Sequence, residues 1–161
     1  MPAPPLPAAG AAARDSAALV AALARTLGAT LLETHISWIL LLPDHAYKVK
    51  KPVHLPFIDY STLARRRRFC EEEVRLNRRL APSLYLGVAE ITGSPTAPVL
   101  DGPGPVLEVA VRMRRFPAGA LFSEQLAAGT LQPALVDRLA ERLVQFHRQA
   151  PADRGYPTHP T

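Results

Sequence analysis

The fold is decided by the sequence Ala46-Tyr47-Lys48-Val49-Lys50-Lys51-Pro52 and by the acidic run Cys70-Glu71-Glu72-Glu73 that follows it. The first segment has the composition of a short strand that ends at a proline. Because side chains alternate along a strand, Lys48 and Lys50 share one face and Lys51 lies on the other. The second segment belongs to a charged helix that is capped near residues 59–62 and continues to about Leu80. Together they predict a lysine-bearing strand beside an acidic helix.

Glu73 differs from the two acids before it in the charges within its helical reach. Glu71 and Glu72 each have arginines three or four residues away, which predicts ion pairs on the solvent face. The neighbours of Glu73 at these spacings are Phe69, Cys70, Leu76 and Asn77, and we predict an inward stripe of Phe69, Cys70, Leu76 and Leu80. A carboxylate on such a stripe is costly unless a cation meets it. We therefore predict that a strand lysine pairs with Glu73.

The remaining elements are read from hydrophobic periodicity and from turn residues. A first helix is predicted from Asp15 or Ser16 to Gly28, burying Leu19, Val20, Leu23 and Leu27. Strands are predicted over residues 31–35, 36–42, 46–51, 84–91 and 106–113, with a Pro- and Gly-rich hairpin or loop over 92–105. A short helix over 121–127 precedes an amphipathic helix from Pro133 to about residue 150, predicted to bury Leu135, Val136, Leu139, Leu143, Val144 and Phe146. This order indicates an α+β fold.

Composition restricts the class of protein. The chain has 161 residues, 48% of them hydrophobic and 20% charged, which is typical of one ordinary domain. Its net charge of +5 favours anionic partners, namely nucleotide phosphates, nucleic acid or acidic lipid. The single cysteine excludes an intrachain disulfide and indicates a reducing compartment. Residues 1–13 lack the pattern of a secretory signal, and the apolar run 36–42 is too short to cross a bilayer. We expect a cytoplasmic protein without membrane contact.

The order of elements resembles the small lobe of the aminoglycoside phosphotransferase-like kinases. The segments that carry this resemblance are ETHISW (33–38), YKVKKPV (47–53) and CEEEVRLNRRLAP (70–82), and the resemblance covers roughly residues 19–151. They are closest to a bacterial branch in which such a domain precedes a P-loop ATP-binding domain. The resemblance implies a kinase-like small lobe, with an antiparallel sheet of about five strands and a packed helix. It implies the lobe (15–113), a hinge (114–120) and the first helices of a large lobe (121–151), while composition predicts a disordered Ala- and Pro-rich tail (1–14) and a second tail (152–161).

The resemblance also implies a nucleotide site. Lys48 would contact the α- and β-phosphates of ATP, with Lys50 as the alternative, and Glu73 would hold the lysine in place. The turn with Thr34 and Ser37 would cover the phosphates, and the segment that begins at Met113 would contact adenine through its backbone. This turn lacks glycine, unlike the phosphate-covering loop of protein kinases, so hydroxyl groups would replace backbone contacts there.

The residues that would carry out phosphoryl transfer are not found in this implied site. After His147 the sequence has no His-x-Asp loop, so we assign no catalytic residue and no metal ligand, and we expect this chain alone to be inactive. Magnesium would bind only in a complete two-lobe enzyme. We therefore expect a truncated or split form whose large lobe or P-loop domain is supplied by another chain.

Three alternatives stay open at this point. Lys48 and Lys50 could be exposed lysines that discourage edge pairing of strands. The run Arg65-Arg66-Arg67-Arg68 could bind nucleic acid in a non-catalytic basic module, although pairing with Glu71 and Glu72 favours a solvated surface and argues against nucleic acid. The chain could also be an inert fragment that does not fold.

Overall fold

The computed structural model describes residues 11–150, with side chains from residue 13 onward. The predicted tails therefore lie outside the described residues, apart from residues 11–14. The chain divides into two compact units, Met1–Phe116 and Pro117–Thr161. The boundary between the units falls within segment 114–120, for which the sequence predicted a hinge. The described residues have a mixed α+β structure with four helices and one six-stranded antiparallel sheet.

The elements follow one another in a simple order. The helices are α1 (Ala11–Leu27), α2 (Leu63–Asn77), α3 (Phe122–Ala127) and α4 (Pro133–Gln149). The strands are β1 (Thr30–Glu33), β2 (Ser37–Leu41), β3 (His45–Lys50), β4 (His54–Leu55), β5 (Ile58–Asp59), β6 (Tyr85–Ser94), β7 (Ala97–Leu100) and β8 (Glu108–Arg114). The main sheet has the order β1-β2-β3-β8-β6-β7, and β4 pairs with β5 in a separate hairpin. The main sheet has one strand more than predicted, and the small hairpin was not predicted.

The two helices of the first unit cover opposite faces of the main sheet. In β8, Ala110 packs in a core with α1, whereas Val109 and Val111 pack in a second core with α2. Since neighbouring side chains of a strand point to opposite faces, the two helices must lie on either side of the sheet. The same alternation places Tyr47 and Val49 of β3 in the core with α1. The lysines of β3 consequently lie on the face that α2 covers.

The first helix packs as its periodicity predicted. Leu19, Val20 and Leu23 are buried and Leu27 is partly buried against the same core. Gly28 follows the helix with a φ of 63°, a backbone conformation that glycine adopts without strain. The helix already includes Ala11, so residues 11–14 are helical rather than part of the predicted tail.

The buried face of α2 differs from the predicted stripe. The helix begins after Thr62, whose side chain accepts a hydrogen bond from the backbone N–H of Arg65, and ends at Asn77, three residues before the predicted end. Its buried residues are Arg66, Cys70 and Val74. Phe69, Leu76 and Leu80 are exposed, so the predicted apolar stripe was wrong at these three positions. The inward face spans more than two turns and includes the charged Arg66, which needs a charged partner from the sheet.

Glu108 of β8 supplies this partner. The guanidinium of Arg66 donates from Nε to both carboxylate oxygens of Glu108 at 3.0 Å, and its NH2 nitrogen lies 2.8 Å from Oε2. A further hydrogen bond of 2.9 Å joins Arg66 to the backbone carbonyl of Tyr60. The side chains are only 8% and 1% exposed. This buried ion pair joins the first turns of α2 to the central strand of the sheet.

The Pro- and Gly-rich segment after β6 forms a hairpin rather than an open loop. Residues 91–94 of β6 pair with β7 in antiparallel register. Gly93 has a φ of 85°, and a Cβ atom there would lie 2.6 Å from the backbone oxygen of Ala97. A side chain at this position would collide with the opposite strand, so the hairpin requires glycine.

The second unit consists of α3 and α4. Pro133 lies at the start of α4, where the missing N–H of proline costs nothing. None of its residues is buried within the described chain, and Val136, Leu139, Leu143 and Val144 are exposed. The sequence correctly predicted an amphipathic helix, but the predicted burial was wrong for these four residues, whereas Leu135 and Phe146 are partly buried.

Hydropathy gives a further result for the helices of the described part. None of these helices is both long enough and apolar enough to cross a membrane.

Loss of one partner of the buried ion pair should destabilise the first unit. Arg66→Met leaves the carboxylate of Glu108 without a cation, and we expect the free energy of unfolding to fall by about 3–5 kcal/mol. Urea denaturation followed by circular dichroism measures this change. The matched control is Arg67→Met, which breaks the exposed pair of Arg67 and Glu90 and should cost at most about 1 kcal/mol. Equal losses in the two variants would contradict the assignment.

Candidate functional site

The two lysines of β3 share the carboxylate of Glu73. Lys48 Nζ donates to Oε1 at 2.6 Å, and Lys50 Nζ donates to Oε2 at 2.7 Å. The predicted pairing of Glu73 with a strand lysine is therefore confirmed, and it involves both candidates rather than one.

The sequence positions these three side chains through two elements. Strand β3 lies between β2 and β8 in the middle of the sheet, with Lys48 opposite Ile39 on one side and Val111 on the other. The two-residue period places Lys48 and Lys50 on the face toward α2. Glu73 lies between the buried Cys70 and Val74 on the inward side of that helix. The carboxylate of Glu73 consequently reaches both lysine amines from a regular position in α2.

The two lysines differ in their access to solvent. The Lys48 side chain is 28% exposed, the Lys50 side chain 5% and the Glu73 side chain 14%. The ammonium group of Lys50 also lies 5.0 Å from the ring centre of Tyr60, which is within range of a cation–π contact. Lys48 is therefore the amine that an external anion can reach, whereas Lys50 is enclosed by protein.

The charges of the site are stabilised by their contacts. Burial acts to raise the pKa of Glu73, but the hydrogen bonds from Lys48 and Lys50 outweigh it and hold the pKa below its ordinary value of 4.5. Burial likewise acts to lower the pKa of Lys50, and the hydrogen bond and charge of Glu73 raise it above 10.5. Both groups are therefore ionised over the physiological pH range.

Two other titratable groups lie close to this cluster. Burial raises the pKa of the Cys70 thiol to about 11, although the positive charge of Lys50 acts in the opposite direction. A thiol with this pKa is protonated at neutral pH and is a poor nucleophile. Burial also raises the pKa of Tyr85, and the negative charge of Glu73 adds to the increase. Both groups stay neutral, so Glu73 and the two lysines determine the charge of the site.

The turn between β1 and β2 is closed by its own hydrogen bonds. The Thr34 hydroxyl accepts from the Ser37 N–H at 3.0 Å and donates to the Ser37 carbonyl at 3.1 Å. The Ser37 side chain is buried, and its hydroxyl finds no hydrogen-bond partner among the described residues. Of the two hydroxyls predicted to contact phosphate, that of Thr34 is therefore hydrogen-bonded within the turn, and that of Ser37 is buried in the first unit. Ser37 nevertheless pairs directly with Lys50 in the β2–β3 register, which puts it on the same face of the sheet as the lysine cluster.

The predicted adenine-contacting segment begins inside the sheet. Met113 lies in β8 opposite Ala46 on one side and Tyr85 on the other. The next two backbone N–H groups are also engaged, because Arg114 donates to Leu84 and Arg115 donates to Asp44. A ligand at this segment would have to use its remaining backbone groups.

The arginine run of α2 is divided among different partners. Arg66 is buried against Glu108, Arg65 pairs with Asp59, and Arg67 donates to Glu90 at 2.7 Å. The prediction that this run forms a solvated surface was therefore wrong for Arg66. Arg66 could have been found from its position four residues before Cys70 on the buried side of the helix. Its partner Glu108 could have been found as an acid at the start of an apolar strand.

In the part of the chain that the structure describes, no three His, Cys, Asp or Glu side chains come together in an arrangement suited to a metal ion.

Comparison with known proteins gives relatives but no family. Uncharacterized proteins of Mycobacterium bovis and of Mycobacterium tuberculosis strains CDC 1551 and H37Rv are each 36% identical to this chain over 122 residues. The match covers 76% of the chain and 23% of each relative, so the chain spans less than a quarter of their length. No family model matches the chain. No solved structure matches it significantly.

The ion-pair cluster should make stability depend on pH in a defined direction. Because the pKa of Glu73 is lowered by folding, its contribution is complete above about pH 4.5 and is lost as pH falls through the folded-state pKa. We expect Glu73→Gln to reduce the free energy of unfolding at pH 7 by about 1–3 kcal/mol. The difference from the unchanged protein should shrink below pH 4.5.

Urea denaturation at a series of pH values measures this difference. Glu71→Gln is the matched control, because Glu71 is an exposed acid on the same helix. A difference between the Glu73→Gln variant and the unchanged protein that is constant from neutral to acid pH would contradict the assignment.

Proposed function

We propose that this chain is the nucleotide-binding lobe of a kinase-like phosphotransferase, of the aminoglycoside phosphotransferase-like class that its sequence resembles. ATP is the ligand, and Lys48 contacts its α- and β-phosphates. The observation that carries the proposal is the contact of 2.6 Å between a partly exposed strand lysine and a helix glutamate on the neighbouring element. In kinases a lysine–glutamate pair of this kind positions the nucleotide phosphates.

The charge of the cluster supports a phosphate ligand. Two ammonium groups and one carboxylate leave a net charge of +1 on the face of the sheet toward α2. An anion that approaches Lys48 therefore meets a positive site rather than a neutral pair. Lys48 is favoured over Lys50 because its side chain is 28% exposed and that of Lys50 is 5% exposed.

The architecture of the first unit supports the same class. A central lysine-bearing strand, a helix that carries the paired acid and a following β6–β8 pair occur in the order expected of a kinase small lobe. The core with α1 covers the face of the sheet away from the lysines. The α2 face is therefore the better candidate for the nucleotide, because the Lys48 side chain on it remains 28% exposed.

Phosphoryl transfer needs further groups that we do not assign to this chain. A base must orient the acceptor, and acidic or amide ligands must hold magnesium. These groups would come from a large lobe or P-loop domain, either in a longer protein or in another chain. The acceptor would contact that part, so its identity is outside the proposal. ATP and a free thiol are both compatible with the cytoplasm.

A basic nucleic-acid-binding module is less well supported. Arg66 is buried, and Arg65 and Arg67 already contact acids. The run therefore offers fewer free cations to a polynucleotide than its sequence suggests.

Substitution of Lys48 tests the proposal directly. Lys48→Met removes a charged hydrogen-bond donor to phosphate, a contact worth about 1.5–3 kcal/mol, so we expect the dissociation constant for ATP to rise about 10- to 150-fold. Isothermal titration calorimetry measures the affinity.

The control is Lys51→Met. Lys51 follows β3, and its ammonium contacts Glu33 and the Trp38 ring rather than Glu73, so ATP affinity should not change. Equal binding of ATP by the unchanged protein and by the Lys48→Met variant would exclude Lys48. Salt-sensitive binding of a polynucleotide without binding of ATP would favour the basic module.

A further inference from the structure

The Glu73 carboxylate accepts hydrogen bonds from two lysines, and the role of the second lysine differs from that of the first. Each oxygen of Glu73 accepts a hydrogen bond from a different lysine, Oε1 from Lys48 and Oε2 from Lys50. A single lysine would be sufficient to neutralise the acid. The second contact needs a separate explanation, because a lysine that is 95% enclosed loses hydration and side-chain freedom.

A phosphate bound at this site would compete with Glu73 for the ammonium group of Lys48. If the ammonium of Lys48 turns toward a phosphate, its contact with Glu73 weakens or breaks. Glu73 is only 14% exposed and would then be a mostly buried carboxylate without a cation. Such a state is strongly unfavourable, and the acid would be driven to take up a proton or to move away from the site. The contact with Lys50 prevents both results.

We propose that Lys50 is a positioning residue that keeps Glu73 charged and in place when Lys48 engages the nucleotide phosphates. This inference rests on the proposed function for its nucleotide, but the contact between Lys50 and Glu73 exists without one. The two lysines on this face of β3 thereby have different roles, phosphate contact for Lys48 and a constant contact with Glu73 for Lys50. Lys48 exchanges partners, and Lys50 keeps its partner.

The surroundings of Lys50 fit a fixed group. Its ammonium is held between the carboxylate of Glu73 at 2.7 Å and the ring of Tyr60 at 5.0 Å. The other titratable groups that act on the cluster are Cys70 of α2 and Tyr85 of β6, and burial raises the pKa of each. A thiol and a phenol become negative when they ionise, so neither can replace Lys50 as the positive partner of Glu73.

The arrangement has a consequence for helix α2. Since Glu73 keeps one cation in either state of Lys48, the helix need not move when a phosphate arrives. Arg66 and Glu108 hold the first turns of the same helix to the sheet independently. The site is therefore preformed in the free protein, which lowers the cost of ordering it on binding.

The test measures the pKa of Glu73 in the free protein and needs no nucleotide. The carboxyl carbon resonance is assigned by its loss in Glu73→Gln and followed by NMR against pH. In Lys48→Met, which mimics the state in which Lys48 has left, we expect the pKa of Glu73 to remain below 4.5. In Lys50→Met we expect the pKa to rise above that of the Lys48→Met variant, and Lys50→Arg should restore the lower value.

Each outcome decides the proposal. A pKa of Glu73 above 4.5 in Lys48→Met would overturn it, and this variant changes the more exposed lysine, so it should fold. An unchanged pKa in Lys50→Met would overturn it equally. If Lys50→Met does not fold, the result from Lys48→Met decides alone.

A second measurement separates this inference from the proposed function. ATP affinity should fall at least about tenfold in Lys50→Met and be largely recovered in Lys50→Arg, because a nucleotide would otherwise leave a charged hydrogen-bond acceptor uncompensated. In a Glu73→Gln background, Lys50→Met should have a smaller effect, since there is no charge left to compensate. Failure of the unchanged protein to bind ATP would overturn the nucleotide role, whereas the pKa values would still show whether Lys50 holds Glu73.

Discussion

The carboxylate of Glu73 is the point at which strand β3 and helix α2 are joined by charge. Two ammonium groups bind it from one strand face, at 2.6 and 2.7 Å. Without them the inward side of α2 would present an acid to a mostly apolar sheet, at a large cost in free energy. Without the acid, two lysines would lie side by side and repel each other. The position of the helix and the charge of the strand therefore depend on one another.

A second ion pair acts on the same helix about two turns earlier. Arg66 and Glu108 are buried more deeply than the lysine cluster. Besides their mutual contact, Arg66 donates to the Tyr60 carbonyl and Glu108 accepts from the Val109 N–H. We infer that this more deeply buried pair holds α2 to the sheet, while Lys48, which pairs with Glu73 but is partly exposed, is the lysine that a ligand could reach. On the opposite face of the sheet, α1 packs in a cluster of buried apolar side chains. Both faces have an apolar core, and the face toward α2 also carries the charges on which the proposed nucleotide site is built.

Strand alternation and helical spacing predicted the features of this site that depend on residues close together in the sequence. Strand alternation correctly grouped Lys48 with Lys50, and the lack of charged neighbours correctly singled out Glu73. The same neighbour rule missed Arg66, because its partner lies 42 residues away and is invisible to helical spacing. The apolar residues Phe69 and Leu76 suggested the wrong inward stripe, since burial in α2 is set by the sheet that it meets. Nothing in the turn sequence revealed that the hydroxyl of Thr34 would be used within the turn itself.

The most direct measurement follows the lysine side chains themselves during addition of ATP. In a protein labelled with ¹³C at the lysine Cε, the resonance of Lys48 should shift and saturate as ATP is added. The resonance of Lys51, which contacts Glu33 and the Trp38 ring rather than Glu73, should stay where it is. This pattern would place the nucleotide on the face of the sheet that carries Glu73. An unmoved Lys48 resonance, or equal shifts of all lysines, would contradict a nucleotide site on this face of the strand.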